Sequence, residues 1–245
     1  MQRLFASSAH VDSRALSLWP SPPDKRPGSS NDVKPMNDKL DRFHYLLLIM
    51  SDGEHNCCIY HFVGVQIMVS VQDIKKDLPT WPEDVIEQWL HYFANEPNCG
   101  WPPPDPLGNH RWYGLLGGKP LSWWKQVTWE MKRVSCGLDD LTVKAKADVN
   151  DIVKAMNAGT ADATTKRRVA QPWVYIRDNG VFPRAPVTMQ RTDGMTLIDG
   201  THRMAGFVMF QGLSDAELAK MKAKRPALEQ EVWQGVHAYG ELPDW

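Results

Sequence analysis

No stretch of this chain is apolar for long enough to cross a membrane. Among its 245 residues the longest purely apolar run is Tyr45–Met50, far short of the ~20 residues a spanning helix needs. Nor does one sign of charge dominate: 28 Lys and Arg face 29 Asp and Glu, for a formal net charge of −1. A wholly basic nucleic-acid coat is thereby excluded, although a local basic groove is not. The first residues, from Met1 to His10, hold no apolar core of the length a secretory signal carries. Four cysteines (Cys57, Cys58, Cys99, Cys136) lack the paired spacing of a disulfide scaffold, so reduced thiols in a cytoplasm are expected. Also missing are a P-loop, a GxGxxG turn, a nucleophile elbow and an HExxH pair. His55, Cys57, Cys58 and His61 superficially offer metal ligands, but adjacent cysteines fit a tetrahedral zinc site poorly, and no metal centre is expected.

What is present is unevenly distributed. Residues 6–40 are rich in Ser, Pro, Asp and Lys, as in Pro20–Asn31. Such a stretch buries too little to offset its ordering entropy, which makes 1–67 a disordered or poorly packed leader. A strand at Phe62–Val69 is its one regular element, and Met68 offers an alternative start. From 68 to 137 the chain is rich in tryptophan: seven of its 11 tryptophans lie between Trp81 and Trp129. Thr80-Trp-Pro-Glu83 reads as a capping box opening a helix over about 81–94, with Val85, Ile86, Trp89, Leu90 and Phe93 on its apolar face. A proline-rich loop follows from Asn98, and Leu121–Met131 reads as a helix capped by Ser122. The whole region reads as a helical accessory module.

Residues 138–245 carry the clearest pattern. Asp148 caps a helix with Val149, Ile152, Val153 and Met156 on one face, ending at Gly159. Pro172–Arg177 reads as a strand. Pro186–Arg191 and Met195–Asp199 are two strands joined through Asp193-Gly194, a hairpin signal. Gly200 ends the second strand, and Thr201–Phe210 forms a helix apolar nearly all round, hence buried. Ser214-Asp-Ala-Glu217 opens another helix, with Leu213 and Leu218 as its hydrophobic staple. Pro226 starts a last helix carrying Leu228, Val232 and Val236. The fold class is α/β of the α+β type: a small mixed sheet with a hairpin leading into a buried helix, preceded by the Trp-rich helical region.

Chemistry concentrates in Asp199-Gly-Thr-His-Arg203. Gly200 lets the backbone turn sharply and approach a ligand. The first helical turn offers unpaired N–H groups and the positive end of a dipole, while Thr201, His202 and Arg203 add donors. Together they make an anion site, and phosphate is the usual anion. The blander alternatives are a Thr201 cap and an ion pair between Arg203 and Asp199.

The hairpin, the Asp-Gly-Thr-His-Arg turn and the apolar helix resemble the signature of the ParB/sulfiredoxin superfamily, over about residues 138–212. In that family a Gly-x-His-Arg or Gly-x-Arg-Arg turn binds nucleotide phosphates. Thr201 stands where sulfiredoxin has its cysteine, so sulfinic-acid repair is not implied. His202 stands where the chromosome-partition proteins carry a second arginine, and about 35 residues after the motif are too few for their DNA-binding and dimerisation parts. Free-serine kinases of the superfamily share the aspartate, glycine and arginine but exchange the middle pair. The resemblance implies a nucleotide, ATP or CTP with Mg²⁺, and hydrolysis or phosphoryl transfer. Gly200, Thr201, His202 and Arg203 would bind it, with Asp199, His202 and Arg203 in the catalytic roles. Asp199 would either hold Mg²⁺ and orient the attacking hydroxyl or fix the turn.

A different class remains open. Trp101, Trp112, Trp123, Trp124 and Trp129, with Arg111 and Lys125, could stack on bases of DNA or another single-stranded nucleic acid, in a plasmid- or phage-type or nuclease-like protein. The alternative for these rings is a tryptophan core. Lys166-Arg-Arg168 could line the phosphate groove or be a solvated run.

Overall fold

The computed structural model describes residues 68–239, which belong to one compact unit. The leader and the possible strand at 62–69, but for its last two residues, lie outside that range, as do His55, Cys57, Cys58 and His61. Val69 and Ser70 precede the first helix. Helix α1 is Val71–Asp77, closed at its start by a reciprocal Ser70–Asp73 capping box. Helix α2 runs as Glu83–Val85, continues through a π-helical segment Ile86–His91 and ends as Tyr92–Ala94. Short helices α3 (Arg111–Leu115) and α4 (Leu121–Trp124) lead into strand β1, Val127–Ser135. A 3₁₀ turn at Leu138–Asp140 precedes α5 (Val143–Asn157), followed by α6 (Ala163–Asn179). Then come β2 (Val187–Arg191), β3 (Gly194–Asp199), α7 (Thr201–Gln211), α8 (Asp215–Lys220) and β4 (Glu229–His237).

The four strands form one mixed sheet in the order β1-β4-β2-β3. β4 is its hinge element, antiparallel to β1 and parallel to β2, and β2 and β3 form the expected antiparallel hairpin. Because successive side chains of a strand face opposite ways, the sheet serves two cores. Leu197 and Val232 join one with α5, α6 and α7, while their neighbours Ile198 and Trp233 pack against the other, built from α1, α2 and the tryptophans. β1 comes from the Trp-rich region and β4 from the chain's end, so the stretches 68–137 and 138–245 share this sheet.

Several expectations from the sequence are corrected. Residues 163–179 are a helix where Pro172–Arg177 read as a strand. Asp162 caps it by accepting from the N–H groups of Thr164 and Thr165, and Gly180 closes it with an N–H bond to Ile176 O. Val169, Pro172, Trp173 and Ile176 fall on one buried face at helical spacing. Pro172 deprives the Arg168 carbonyl of its helical donor, a defect that costs ~3 kcal/mol in an isolated helix and is offset here by burial of that face.

The second correction is the chain's end, where Glu229–His237 is a strand and not a helix begun at Pro226. Gln230, Val232 and Gln234 are buried at alternate positions. Gly235 is paired with Trp129, and a Cβ on it would lie 2.8 Å from the Trp129 ring. Third, the helix read over Leu121–Met131 is only the short α4, N-capped by Pro120 and not Ser122, before β1 begins. Fourth, α5 starts at Val143 with Thr142 as its cap, its hydroxyl accepting from Ala145 N–H. Asp148 lies inside the helix, paired with Lys144 at 2.9 Å. The end at Gly159 stands as read, with Ala158 closing the helix. At α2 the helix is present but Pro82 is its N-cap and no side-chain cap forms, so Thr80 and Glu83 make no capping box. The Ser214–Glu217 capping box of α8 forms as read.

Tryptophan dominates the second core. Trp81 and Trp89 stack at 5.9 Å, and Trp124 meets Trp89 edge-on at 5.0 Å. Helix α2 is fixed to the sheet by Asp84, whose carboxylate accepts from Arg184 Nε at 2.6 Å and from Trp233 Nε1 at 2.6 Å. This clamp sets α2 beside the β3–α7 junction.

Candidate functional site

The end of β3 and the start of α7 turn on Gly200, whose φ of +104° is open to few residues other than glycine. Its Cα also faces the guanidinium of Arg203, and a Cβ there would lie 3.0 Å from Arg203 Nη2 and 3.0 Å from Pro186 Cβ. No side chain caps the α7 N-terminus. Its first turn therefore keeps its backbone N–H groups and the positive dipole end free of a side-chain cap, the feature an anion site uses. Thr201, His202 and Arg203 are half-buried on that turn.

Arg203 reaches back to Asp199, and its Nη2 is hydrogen-bonded to the carboxylate Oδ2. The nearby Gly200 backbone N–H also favours the charged form of Asp199. The ion pair is thus present. Burial pushes the Asp199 carboxyl above its ordinary range, against the opposing pull of Arg203, and works equally against the charge of Arg203. His202 is held below the usual imidazole value, first by burial and then by the positive charge of Arg168.

A cleft of about 580 Å³ opens over this turn. Asp199, Gly200, Thr201, His202 and Arg203 line it, so all five residues singled out in the sequence meet. Asp148 and Ile152 of α5 and Arg168 of α6 join them, with Gln88, Tyr92 and Phe93 of α2 opposite. Of the basic run only Arg168 lines the cleft, while Lys166 is turned to the carbonyl of Gly159. The α2 residues were not identifiable as site residues from the sequence: they sit over 100 positions upstream, and their apolar spacing reads as core. The π-helical segment is the local device. The wider turn places Ala94 in the core and leaves Phe93 half-buried at the cleft.

The ionic balance of the cleft is asymmetric. Each carboxylate lining it is engaged, Asp148 by Lys144 and Asp199 by Arg203. Arg168 is exposed and has no carboxylate partner among the described residues. The unmatched charge is positive, and it lies near the open helix end. A divalent ion would find only Asp148 and Asp199 as carboxylates in this cleft, and among the described residues no three candidate ligands cluster.

Most of these tryptophans are taken up by packing, and Trp129 meets Trp81 edge-on at 5.0 Å. Trp112 and Trp124 are fully buried. Trp123 is stacked on His237 at 3.9 Å, Trp101 donates to Asp77, Lys125 is 3.7 Å from Asp77, and Arg111 pairs with Glu96 at 2.7 Å. Cys136 is buried with its thiol pushed up to about 12 by desolvation, which makes it inert as a nucleophile.

The fold and the cleft define a mixed α/β protein with an uncapped helix N-terminus at the end of a β-hairpin. Among the described residues no helix is long and apolar enough to cross a membrane. Comparison with known proteins adds no relative: no family model, no curated protein and no solved structure matches the chain.

Proposed function

We propose that this protein binds a nucleoside di- or triphosphate, ATP or CTP with Mg²⁺, at the Gly200–Arg203 turn, in a domain of the ParB/sulfiredoxin-like type. The observation that carries the reading is the uncapped N-terminus of α7, flanked by Arg203, His202 and the unpaired Arg168 in a cleft whose carboxylates are already engaged. Phosphate oxygens would accept from the turn's N–H groups and from Thr201, and charge would be met by Arg203 and Arg168. Mg²⁺ would be held largely by the phosphates themselves, with Asp199 or Asp148 at its edge. The reaction assigned to the site is hydrolysis of the terminal phosphoanhydride or transfer of its phosphoryl group. Arg203 and His202 would meet the charge that builds up on the transferred group. Asp199 acts first as the residue that orients Arg203.

The test is a thermal-shift and calorimetric titration with ATP, ADP, CTP and GTP, with and without Mg²⁺, on the wild type, Arg203→Ala and Arg168→Gln. Stabilisation by a nucleotide that is lost in Arg203→Ala and weakened in the surface variant Arg168→Gln supports the reading. No shift with any nucleotide sinks it. The DNA-binding alternative drew on the tryptophans together with Lys166–Arg168; Trp112 and Trp124 are fully buried, which leaves it less surface than the nucleotide reading uses.

A further inference from the structure

The lining of the cleft is of two kinds. The β3–α7 turn and Arg168 supply polar and charged groups, while Tyr92 and Phe93 of α2, with Ile152 and Ile198, supply aromatic and apolar ones. Tyr92 is 53% exposed. Among the described residues it is the large, exposed aromatic side chain that shares a cleft with the Gly200–Arg203 turn. It is also braced: Phe93 meets it edge-to-face at 5.1 Å, interplanar angle 84°, and the Arg111 guanidinium lies 5.5 Å from the Phe93 ring centre. Arg111 is in turn tied to Glu96. A surface tyrosine held this way gives up little conformational freedom when a flat ligand lies on it.

We infer that Tyr92 is the stacking residue for the base, so that the ligand lies across the cleft with its phosphates at the α7 N-terminus and its aromatic ring on α2. This deepens the nucleotide reading and rests on it. It also gives the Trp-rich region a role: that region supplies the ring site, and residues 138–203 supply the phosphate site. A phosphate-only ligand would leave α2 without a task, whereas a base on Tyr92 would use both kinds of lining. Stacking on an aromatic face is tolerant of base identity, so Tyr92 distinguishes nucleotides from plain polyphosphates and not one base from another.

Calorimetry on the full chain with two probes, ATP and inorganic tripolyphosphate, separates the two. Tyr92→Ala should weaken ATP binding about tenfold, the scale of one base–aromatic contact, and leave tripolyphosphate within about twofold. Tyr92→Phe should retain ATP affinity within about twofold, since the ring and not the hydroxyl does the stacking. An equal loss for both probes, or unchanged ATP binding in Tyr92→Ala, overturns the assignment. So does a wild type that binds tripolyphosphate as tightly as ATP, a result under which the phosphate site itself would stand. Binding of neither probe removes the phosphate site and the ring site together.

Discussion

Arg203 and Asp199, one helical turn apart in sequence, are ion-paired across Gly200, and the arginine side chain is only 13% exposed. The same guanidinium is both the structural tie of the turn and the cation nearest the α7 N-terminus. Removing it leaves Asp199 without its ion-pair partner, with only the more distant charges of Arg184 and His202 to offset it. Arg203→Met is expected to cost about 1–3 kcal/mol, less than for a fully buried pair because Asp199 keeps some solvent. Asp199→Asn combined with Arg203→Met should be less destabilised than Arg203→Met alone. Denaturant titration of Asp199→Asn, Arg203→Met and the double variant measures this coupling, and strict additivity would show that the pair contributes nothing specific.

His202 makes the site sensitive to pH. Its folded-state pKa lies below the ordinary 6.5, because burial and Arg168 disfavour its charge. Between that lowered value and 6.5 the unfolded chain holds a proton that the folded chain does not. Stability therefore rises with pH through that window and is lost as pH falls below it. His202→Gln should flatten this part of the stability profile.

Phosphate oxygens beside His202 should reverse that shift. Nucleotide binding then takes up a proton, and affinity strengthens as pH falls through the ordinary imidazole range. An NMR titration of the His202 ring protons, with and without ATP, reads both states. A pKa that ATP leaves unmoved would place the phosphates away from this residue.

Gly200→Ala tests the turn itself. The positive φ and the 3.0 Å approaches to Arg203 and Pro186 oppose any Cβ. The expected loss is about 1–3 kcal/mol in denaturant stability, with nucleotide affinity falling further because Arg203 must shift. An alanine variant of unchanged stability and affinity would mean that the turn relaxes freely.

The tryptophans give a structural prediction that also bears on the nucleic-acid alternative. Trp124→Ala empties a fully buried site in contact with Trp81, Trp89 and Trp123 and is expected to cost about 3–5 kcal/mol. Single-stranded oligonucleotides should not quench Trp112 or Trp124, which have no exposed face. Quenching in the wild type that disappears on replacing the half-buried Trp101, Trp123 or Trp129 would restore the nucleic-acid reading.

Where a local rule was also the tertiary answer, the sequence was legible. The β2–β3 hairpin (though it turns at Thr192–Asp193, with Gly194 already in β3), the break at Gly200, the buried α7 and the Ser214 capping box each depend on neighbours within a few residues. The five residues of the turn meet for the same reason: they are contiguous. Residues 163–179 were misread because Trp173, Val174, Tyr175 and Ile176 are good strand formers next to a proline. Burial of the face formed by Val169, Pro172, Trp173 and Ile176 against α7 outweighs that propensity.

The sequence by itself determined the turn and its donors, because helix termini and hairpins are specified over a handful of residues. Only the tertiary structure decided what faces them. That β4 lies between β1 and β2, that Asp84 is clamped by Arg184 and Trp233, and that Tyr92 and Gln88 line the same cleft as Arg203 all follow from pairings over long separations. Such pairings are fixed by which faces can be buried together, and that choice is made by the whole core at once rather than by any local pattern.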